Sequence, residues 1–344
     1  MFRRENVVLA LKNYFCGLLV YGLLLVIYFS SSYYSDFLNA STKLALLIIF
    51  IFYLLSAFPY YLWKREKDLD DNHLFVVLRL FVRTVREGWR YVERFTVDRD
   101  VSAPHITKKE KVSLLFLMVK AFFLPIMLNF FFNNLGTTIN FFRNSEFLVL
   151  TQYSFIKVVY PGLIALIFLV DTGYFVVGYS LDFKSMKNTI RSVEPTFLGW
   201  FVALICYPPF NNVGSAYLPW GPKEQFMYGS YTATLVGIGF VLVLFLIYLW
   251  ATISLGSKCS NLTNRGIISN GAYRYVRHPA YICKVAAWWI MLVPTMTGVF
   301  FFSMLGWSFI YFLRAITEER HLMADPDYRE YVKKVPYRFI PGLY

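Results

Sequence analysis

The sequence predicts an all-α, polytopic integral membrane protein: a helical bundle of about eight transmembrane helices that ends in a helical hairpin and a cytoplasmic tail. Three observations predict this class. The chain of 344 residues is 57% hydrophobic and 20% aromatic. Only 16% of its residues are charged, against about a quarter in ordinary globular domains. Several apolar runs approach or exceed the roughly 18 residues that read as a bilayer span.

The apolar runs place the predicted spans in order along the chain. The fifth run is interrupted by Pro208 and Pro209, and the last two runs are short and separated by a Thr/Gly turn. We expect that last pair to form a hairpin that either spans thinly or dips into the bilayer, because about 15 helical residues cover only about 22 Å. The runs are residues 14–31, 44–63, 113–134, 150–179, 196–208, 229–255, 281–296 and 298–313.

The runs and the loops between them predict four regions. The first holds two membrane spans, the second a basic interfacial helix, the third four spans, and the last the closing hairpin with its tail. Their bounds are residues 1–63, 64–112, 113–255 and 256–344.

The net charge of +13 is carried by alternate loops. Lys and Arg concentrate in the N-terminal arm, in residues 64–112, 180–195 and 256–280, and in the tail. The positive-inside rule therefore predicts that both termini, and the polar ends of the closing hairpin, face the cytoplasm. Basic residues between apolar runs favour anionic lipid headgroups as the partner, not nucleic acid.

Residues 72–95 are predicted to form a basic amphipathic helix on the membrane surface. Apolar residues recur at helical spacing, and arginines fill the positions between them. We interpret the helix as an interfacial anchor; the alternative is a helix that controls lipid entry to a site. The apolar residues are Leu74, Val77, Leu78, Phe81, Val82, Val85, Trp89 and Val92, and the basic ones are Arg79, Arg83, Arg86, Arg90 and Arg94.

Cysteine usage and the N-terminus add two expectations. Cys16, Cys206, Cys259 and Cys283 lie in or near apolar segments without metal-ligand spacing or a paired framework, so we predict neither a metal site nor a disulfide. The first apolar run lacks a small-residue cleavage site and is expected to be a retained span.

The closing hairpin carries the residues that could do chemistry. Pro279 suits the first position of a helix, which places His278 at the cap and Arg277 just before it, with Tyr281 on the same face as Arg277. The free amides of such a helix start form a natural pocket for a carboxylate or phosphate. Taken alone, these residues are more typical of an interface anchor than of a site.

The second helix of the hairpin favours the site. Arg314 and Glu318 are spaced as i,i+4 partners, Leu322 continues their face, and Glu319 projects beside it. In an antiparallel hairpin this face meets Arg277, His278 and Tyr281 at one membrane edge. The alternative is a solvated helix end with ordinary salt bridges. Two helices that present such groups at one level indicate a polar cavity, which the tail with Tyr328 and Tyr331 could cover.

These residues resemble a known enzyme superfamily. Tyr273, Arg277-His278-Pro279 and Tyr281, followed by Arg314, Glu318-Glu319, Leu322, Tyr328, Tyr331 and Val335-Pro336, are similar to the C-terminal core of the isoprenylcysteine carboxyl methyltransferase and phospholipid methyltransferase superfamily. Its members are integral membrane enzymes that bind S-adenosylmethionine from the cytoplasmic side. The resemblance covers about residues 256–344. It implies a cofactor pocket formed by Tyr273, Arg277, His278, Pro279, Tyr281, Glu318, Glu319 and Leu322.

The chain departs from the superfamily pattern at three positions. Ala272 replaces a common Pro, which we expect to be harmless. Cys283 stands where a Gly is usual and is followed by the charged Lys284. A side chain at Cys283 is expected to narrow the close approach of helices or cofactor.

The resemblance implies methyl transfer to an amphiphilic acceptor, a lipid or a prenylated molecule, that enters from the bilayer. Arg277 or Arg314 would hold an acceptor carboxylate. An amine acceptor would need a general base, for which Glu318 or Glu319 is the natural candidate. Arg277, Glu318 and Arg314 are therefore the predicted catalytic residues.

Two other functions stay open on the sequence. The ending Val335–Pro341 is also similar to that of membrane sterol reductases, which use NADPH, although those enzymes usually have Asn where this chain has Pro279-Ala280. A non-catalytic lipid-binding or transport protein could keep the hairpin as a scaffold. Outside the hairpin, Asp171 is a carboxylate within an apolar run, which makes it a functional candidate. The alternative, which we favour, is a structural role with a hydrogen bond to Tyr174 or Tyr179.

Overall fold

The computed structural model of the protein describes residues 4–97, 105–144 and 151–343, with the side chains of residues 4, 66 and 91–97 excepted. These residues are 77% helical with nearly no strand, which confirms the all-α membrane fold class. It divides into two compact units, Met1–Pro125 and Ile126–Tyr344.

The first unit is formed by helices α1 to α5 and the start of α6. Their bounds are α1 Arg4–Ser30, α2 Ser32–Phe37, α3 Ala40–Leu62, α4 Glu66–Asp70, α5 His73–Val97 and α6 Lys108–Arg143, the last of which continues into the second unit.

The second unit adds eight helices and one two-stranded ladder within the described residues. The helices are α7 Gln152–Ser154, α8 Tyr160–Ser180, α9 Phe197–Leu204, α10 Phe210–Tyr217, α11 Tyr231–Leu255, α12 Pro279–Leu292, α13 Gly298–Leu322 and α14 Pro326–Lys334. The strands are β1 Ser192–Val193 and β2 Thr263–Asn264, and a π-helical turn at Phe155–Val159 joins α7 to α8.

Six helices of the described chain are long and apolar enough to cross a bilayer: Glu5–Ser30, Ala40–Leu62, Lys108–Arg143, Gln152–Ser180, Tyr231–Lys258 and Gly298–Leu322. The other two predicted spans are shorter than a bilayer requires. The run 196–208 contains only the eight residues of α9, and α12 has 14 residues. The count of eight spans therefore stays a prediction.

In the first unit, tyrosines hold α1 against α3. The Tyr14 hydroxyl donates to the carbonyl of Leu54 (3.0 Å), and the rings of Tyr14 and Tyr53 stack with their centroids 6.2 Å apart. Helix α5 also packs on α1, since the Cys16 thiol donates to the carbonyl of Leu74.

Helix α5 buries one edge and leaves large apolar side chains uncovered. Leu74 and Leu80 are buried, whereas Phe81, Val85 and Trp89 are exposed. Arg79, Arg86 and Arg90 are exposed as well. The described part of the helix therefore shows exposed aromatic and basic groups together, while Val92 and Arg94 lie outside the described side chains.

In the second unit, α8, α11 and α12 share one apolar core. Side chains such as Ile164, Phe245 and Ala287 are buried there. Gly178 lets α8 approach the loop after α11 closely, because a Cβ at this position would lie 1.9 Å from the carbonyl oxygen of Cys259.

The two ends of this bundle are built from different loops. At one end, β1 pairs antiparallel with β2, with Ser192 opposite Asn264. At the other end, the Trp307 indole donates to the carbonyl of Leu218 (3.0 Å) and the Ser303 hydroxyl donates to that of Pro219 (2.8 Å). Segments 180–195 and 256–280, which loop charge assigns to one side of the membrane, thus meet at the same end.

Candidate active site

Helix α12 begins at Pro279. A proline fits this first position because the N–H group that it lacks would have no acceptor within the helix there. His278 precedes it, as the sequence predicts, but its side chain does not cap the helix. The backbone N–H groups of Arg277 and His278 donate to the carbonyls of Tyr337 (3.0 Å) and Arg338 (2.9 Å). These two amides are therefore held by the tail and are not free to bind an anion.

Glu319 gathers three basic side chains. Its Oε1 atom accepts from Arg277 Nε (2.8 Å) and Arg338 Nε (3.1 Å) and lies 3.1 Å from His278 Nε2, while Oε2 accepts from Arg338 Nη2 (2.9 Å). The side chains of Arg277 and Glu319 are only 7% and 11% exposed. Arg277 also donates to the carbonyls of Val335 and Pro336. Glu319 therefore ties the hairpin to the tail, and its charge is compensated.

The Glu318 side chain has a different partner from that of Glu319. Its Oε2 atom accepts from the Tyr281 hydroxyl (2.7 Å), so α13 and α12 contact one another here through a single hydrogen bond. The Tyr281 ring stacks on His278, with centroids 5.4 Å apart and planes 6° from parallel. The paired glutamates thus face two different environments.

Arg314 does not bind Glu318, its predicted i,i+4 partner. Its Nη2 atom donates to Asn261 Oδ1 (3.0 Å), and its guanidinium lies 5.1 Å from the ring centroids of both Tyr281 and Tyr311. Arg314 is buried among these rings, whereas Glu318, one turn further along the same helix, is exposed and accepts from Tyr281 instead.

A cavity of about 130 Å³ opens between these groups. Seven of the nine predicted site residues line it: Tyr273, Arg277, His278, Tyr281, Arg314, Glu318 and Leu322. Pro279 and Glu319 are not among its lining residues. Most of the residues predicted from the sequence therefore line one cavity, and Glu319 and Pro279 lie next to it without lining it.

The tail folds back on the start of the hairpin. Tyr328, Tyr331 and Val335 form a buried cluster against Tyr273 and Leu322. The Tyr331 hydroxyl donates to the carbonyl of Tyr273 (2.7 Å). The tail thus packs behind two residues that line the cavity, Tyr273 and Leu322.

Asp325 fixes the start of the tail to the ladder. It accepts from Asn264 Nδ2 (2.7 Å) and from Arg191 Nη1 (2.9 Å). Burial alone would raise the pKa of the Asp325 carboxyl, but these hydrogen bonds outweigh burial and hold that pKa below its usual value.

Cys283 and Lys284, two of the three departures from the superfamily pattern, lie in different places. Cys283 is buried in the core shared by α8, α11 and α12 and is not among the lining residues. Its side chain therefore lies between packed helices and outside the cavity lining. Lys284 lines the cavity, so it is the second departure that bears on ligand binding.

Asp171 has partners other than those expected. Its two carboxylate oxygens accept from the Tyr248 hydroxyl (2.9 Å) and from Thr252 Oγ1 (2.6 Å), both on α11. Tyr179 instead contacts Asn261 through its hydroxyl. The expectation of Tyr174 or Tyr179 was wrong because α11, which is distant in sequence, packs on this face of α8.

Sequence reasoning missed Glu194, which lines the cavity from the loop before α9. Glu194 is 2% exposed, and its Oε1 atom accepts from Arg320 Nη2 (3.0 Å) and from the N–H of Thr196 (3.0 Å). Its Oε2 atom is buried without a hydrogen-bond partner. Gly199 leaves room for this side chain, since a Cβ there would lie 2.4 Å from Glu194 Cγ. A carboxylate that directly follows a basic stretch with Lys184, Lys187 and Arg191 was the available signal.

Among the described residues, no group of three or more His, Cys, Asp or Glu side chains is placed to hold a metal ion. The cavity instead offers carboxylates, hydroxyls, an amide and aromatic rings, which suit an organic ligand.

A comparison with protein families identifies which family this region is similar to. Residues 236–324 match the model of the isoprenylcysteine carboxyl methyltransferase (ICMT) family. The match confirms the resemblance over about a quarter of the chain and includes α12, α13 and most of the cavity lining. No curated protein and no solved structure matches the chain. The C-terminal part is therefore similar to a family of membrane methyltransferases.

Proposed function

We propose that the protein is an integral membrane methyltransferase that transfers a methyl group from S-adenosylmethionine to a lipidic or prenylated acceptor. One observation carries the proposal. Both halves of the motif, Arg277–Tyr281 and Arg314–Leu322, line a single cavity inside the region that matches the ICMT family.

The cavity suits S-adenosylmethionine in its chemistry. The donor is a sulfonium cation that also carries an ammonium group, ribose hydroxyls and a flat adenine ring. Glu194 offers a buried oxygen without a partner, and Glu318 offers a second carboxylate. Tyr273 and Tyr281 supply aromatic surface. Glu194, Glu318 and these rings would hold the cofactor, which supplies the methyl group on a positively charged sulfur.

The remaining lining residues then position the acceptor. Arg314 presents a buried guanidinium that would hold a carboxylate acceptor next to the donor. Arg277 is less available, since Glu319 and two tail carbonyls already engage it. For an amine acceptor, Glu318 is the cavity-lining carboxylate that would accept the proton.

We place the cavity, with both chain termini, on the cytoplasmic side. The support is the positive-inside rule, together with the contact between segments 180–195 and 256–280 at the end of the bundle where the cavity lies. We also infer that α5 rests on anionic headgroups, because Arg86, Trp89 and Arg90 are exposed together on a helix next to predicted spans.

A ligand titration tests the function. Purified protein in detergent is heated with S-adenosylmethionine, with its demethylated product, or with NADPH. We expect both methionine-derived ligands to raise the melting temperature in a concentration-dependent way, since a ligand that binds the folded state stabilises it by mass action.

Two variants serve as the matched comparison. Glu318→Ala should lose the ligand-dependent shift, whereas Glu330→Ala, which removes an exposed glutamate of α14, should keep it. Stabilisation by NADPH alone would favour a reductase. No response to any of the three ligands would leave a non-catalytic lipid-binding role and refute the proposal.

A further inference from the structure

We propose that Lys284 forms an anion-binding site at the inner end of the cavity and receives the anionic group of the acceptor. The ligand is an amphiphile with a carboxylate head, and this identification rests on the proposed function. Lys284 lies outside the motif residues, in the position after Cys283.

Lys284 lies deeper along α12 than the candidate cofactor contacts. It follows His278 by about 9 Å along the helix axis, at 1.5 Å per residue. Its ammonium is 5.5 Å from the ring centroid of Tyr248 and 5.4 Å from that of Trp288. These rings lie against the cation at the wall of the cavity and attract it through their π faces.

Lys284 has no carboxylate within ion-pair distance in the described parts of the chain. Asp171 attracts it electrostatically, yet both oxygens of that carboxylate are engaged by Tyr248 and Thr252. Arg277, by contrast, is paired with Glu319. A cation at apolar depth is costly unless it is paired, so an anionic guest that approaches Lys284 would be stabilised.

The carboxylates and the cations of the cavity lie in different parts of its wall. Glu194 and Glu318 stand in its wall near the ladder and the end of α13, and Lys284 and Arg314 stand in its wall within the bundle. Arg314 likewise has no carboxylate within ion-pair distance among the described residues. A cationic donor is therefore favoured at the carboxylate end, and an anionic acceptor at the end with Lys284. This arrangement would place the methyl group of the donor next to the anionic group of the acceptor.

The test measures equilibrium binding of two probes to the full chain in phosphatidylcholine nanodiscs. The probes are N-acetyl-S-farnesylcysteine, which carries one carboxylate, and its neutral carboxamide. We expect the wild-type protein to bind the acid at least about tenfold more tightly than the amide, which corresponds to about 1.4 kcal/mol. Lys284→Met should lose most of this preference, with Arg314 supplying the remainder, and Lys284→Arg should retain the preference.

Lys120→Met is the matched control. Lys120 also lies on an apolar helix with its ammonium over a ring, 5.0 Å from the centroid of Phe116, but it does not line the cavity. This variant should keep the wild-type preference for the acid. If Lys284→Met does not fold, Lys284→Gln, which removes the charge but keeps a polar side chain, takes its place in the same comparison.

The outcomes separate this inference from the proposed function. Equal affinity of the wild type for acid and amide, or an unchanged preference in Lys284→Met, overturns the role of Lys284 even where the demethylated cofactor still stabilises the protein. A lost preference in Lys284→Met with unchanged cofactor binding supports it. Failure of the cofactor to bind, with the acid still preferred, would refute the methyltransferase while leaving an anion site.

Discussion

Substitution of Glu319 should lower the stability of the protein, whereas substitution of the adjacent Glu318 should weaken ligand binding. Glu319 gives the sharper test. Glu319→Ala removes the carboxylate that engages Arg277, Arg338 and His278 at 2.8 to 3.1 Å. The Arg277 side chain is 7% exposed and would stay buried without its counter-charge.

The magnitude follows from that burial. Breaking a buried ion pair by removing one partner costs about 3–5 kcal/mol, because the remaining charge is left uncompensated. Arg338, with 16% of its side chain exposed, would recover part of its hydration, which places the loss in the lower half of that range. Since a domain of 150–250 residues shifts by about 2–4 °C for each kcal/mol, we expect the melting temperature to fall by roughly 6–16 °C.

The assay is thermal unfolding in detergent, followed by the intrinsic fluorescence of tryptophan. Glu319→Gln should lie between Ala and the wild type, because the amide keeps an acceptor oxygen but loses the charge. Glu330→Ala, at an exposed pair with Lys333, should melt like the wild type. A Glu319→Ala protein that melts within a degree of the wild type would refute this account of the cluster.

Three further outcomes are expected. Glu318→Ala should melt close to the wild type but bind the demethylated cofactor at least about tenfold more weakly in a calorimetric titration, because Glu318 lines the cavity and has one hydrogen bond to Tyr281; equal affinity would remove Glu318 from the site. Asp171→Ala should lower stability by about 2–3 kcal/mol, since it leaves the Tyr248 and Thr252 hydroxyls unpaired, whereas Tyr174→Phe should have no effect in the same melts. The pKa of the Asp325 carboxyl is lowered in the folded protein, so this group stabilises the fold above its unfolded pKa of about 3.9, and the stabilisation is lost as the pH falls through the lower folded pKa. The melting temperature of Asp325→Asn should therefore fall less steeply than that of the wild type below about pH 4. An identical fall in the two proteins would contradict this.

The sequence predicted the membrane class and the meeting of the two hairpin helices because both depend on local patterns. Apolar runs identify spans, and an antiparallel hairpin must bring Tyr281 near Glu318 at one level. Within the hairpin, the pattern could not separate Glu318 from Glu319. Their different surroundings depend on Arg338, which the tail brings back only after the chain has folded.

Contacts between distant segments account for the other differences. Asp171 lies 77 residues from Tyr248 in sequence, and no periodicity within α8 points to α11. Glu194 reaches the cavity through the pairing of two-residue strands, which are too short to leave an alternating pattern. Lys284 appeared as a departure from a motif, and its position in the cavity wall became visible only once α11 and α12 were packed together.

The ladder between Ser192–Val193 and Thr263–Asn264 has a practical consequence for anyone who wishes to express or transplant this core. One of its strands lies well before the family-matched segment at residues 236–324, and the carbonyls that hold Arg277 lie after it. A fragment cut at those limits would leave the partners of β2 and of Arg277 behind, and the carboxylate of Glu194 with them. We expect the smallest autonomous piece to start no later than α7 and to run through Arg338, so a chimaera should be joined at those borders.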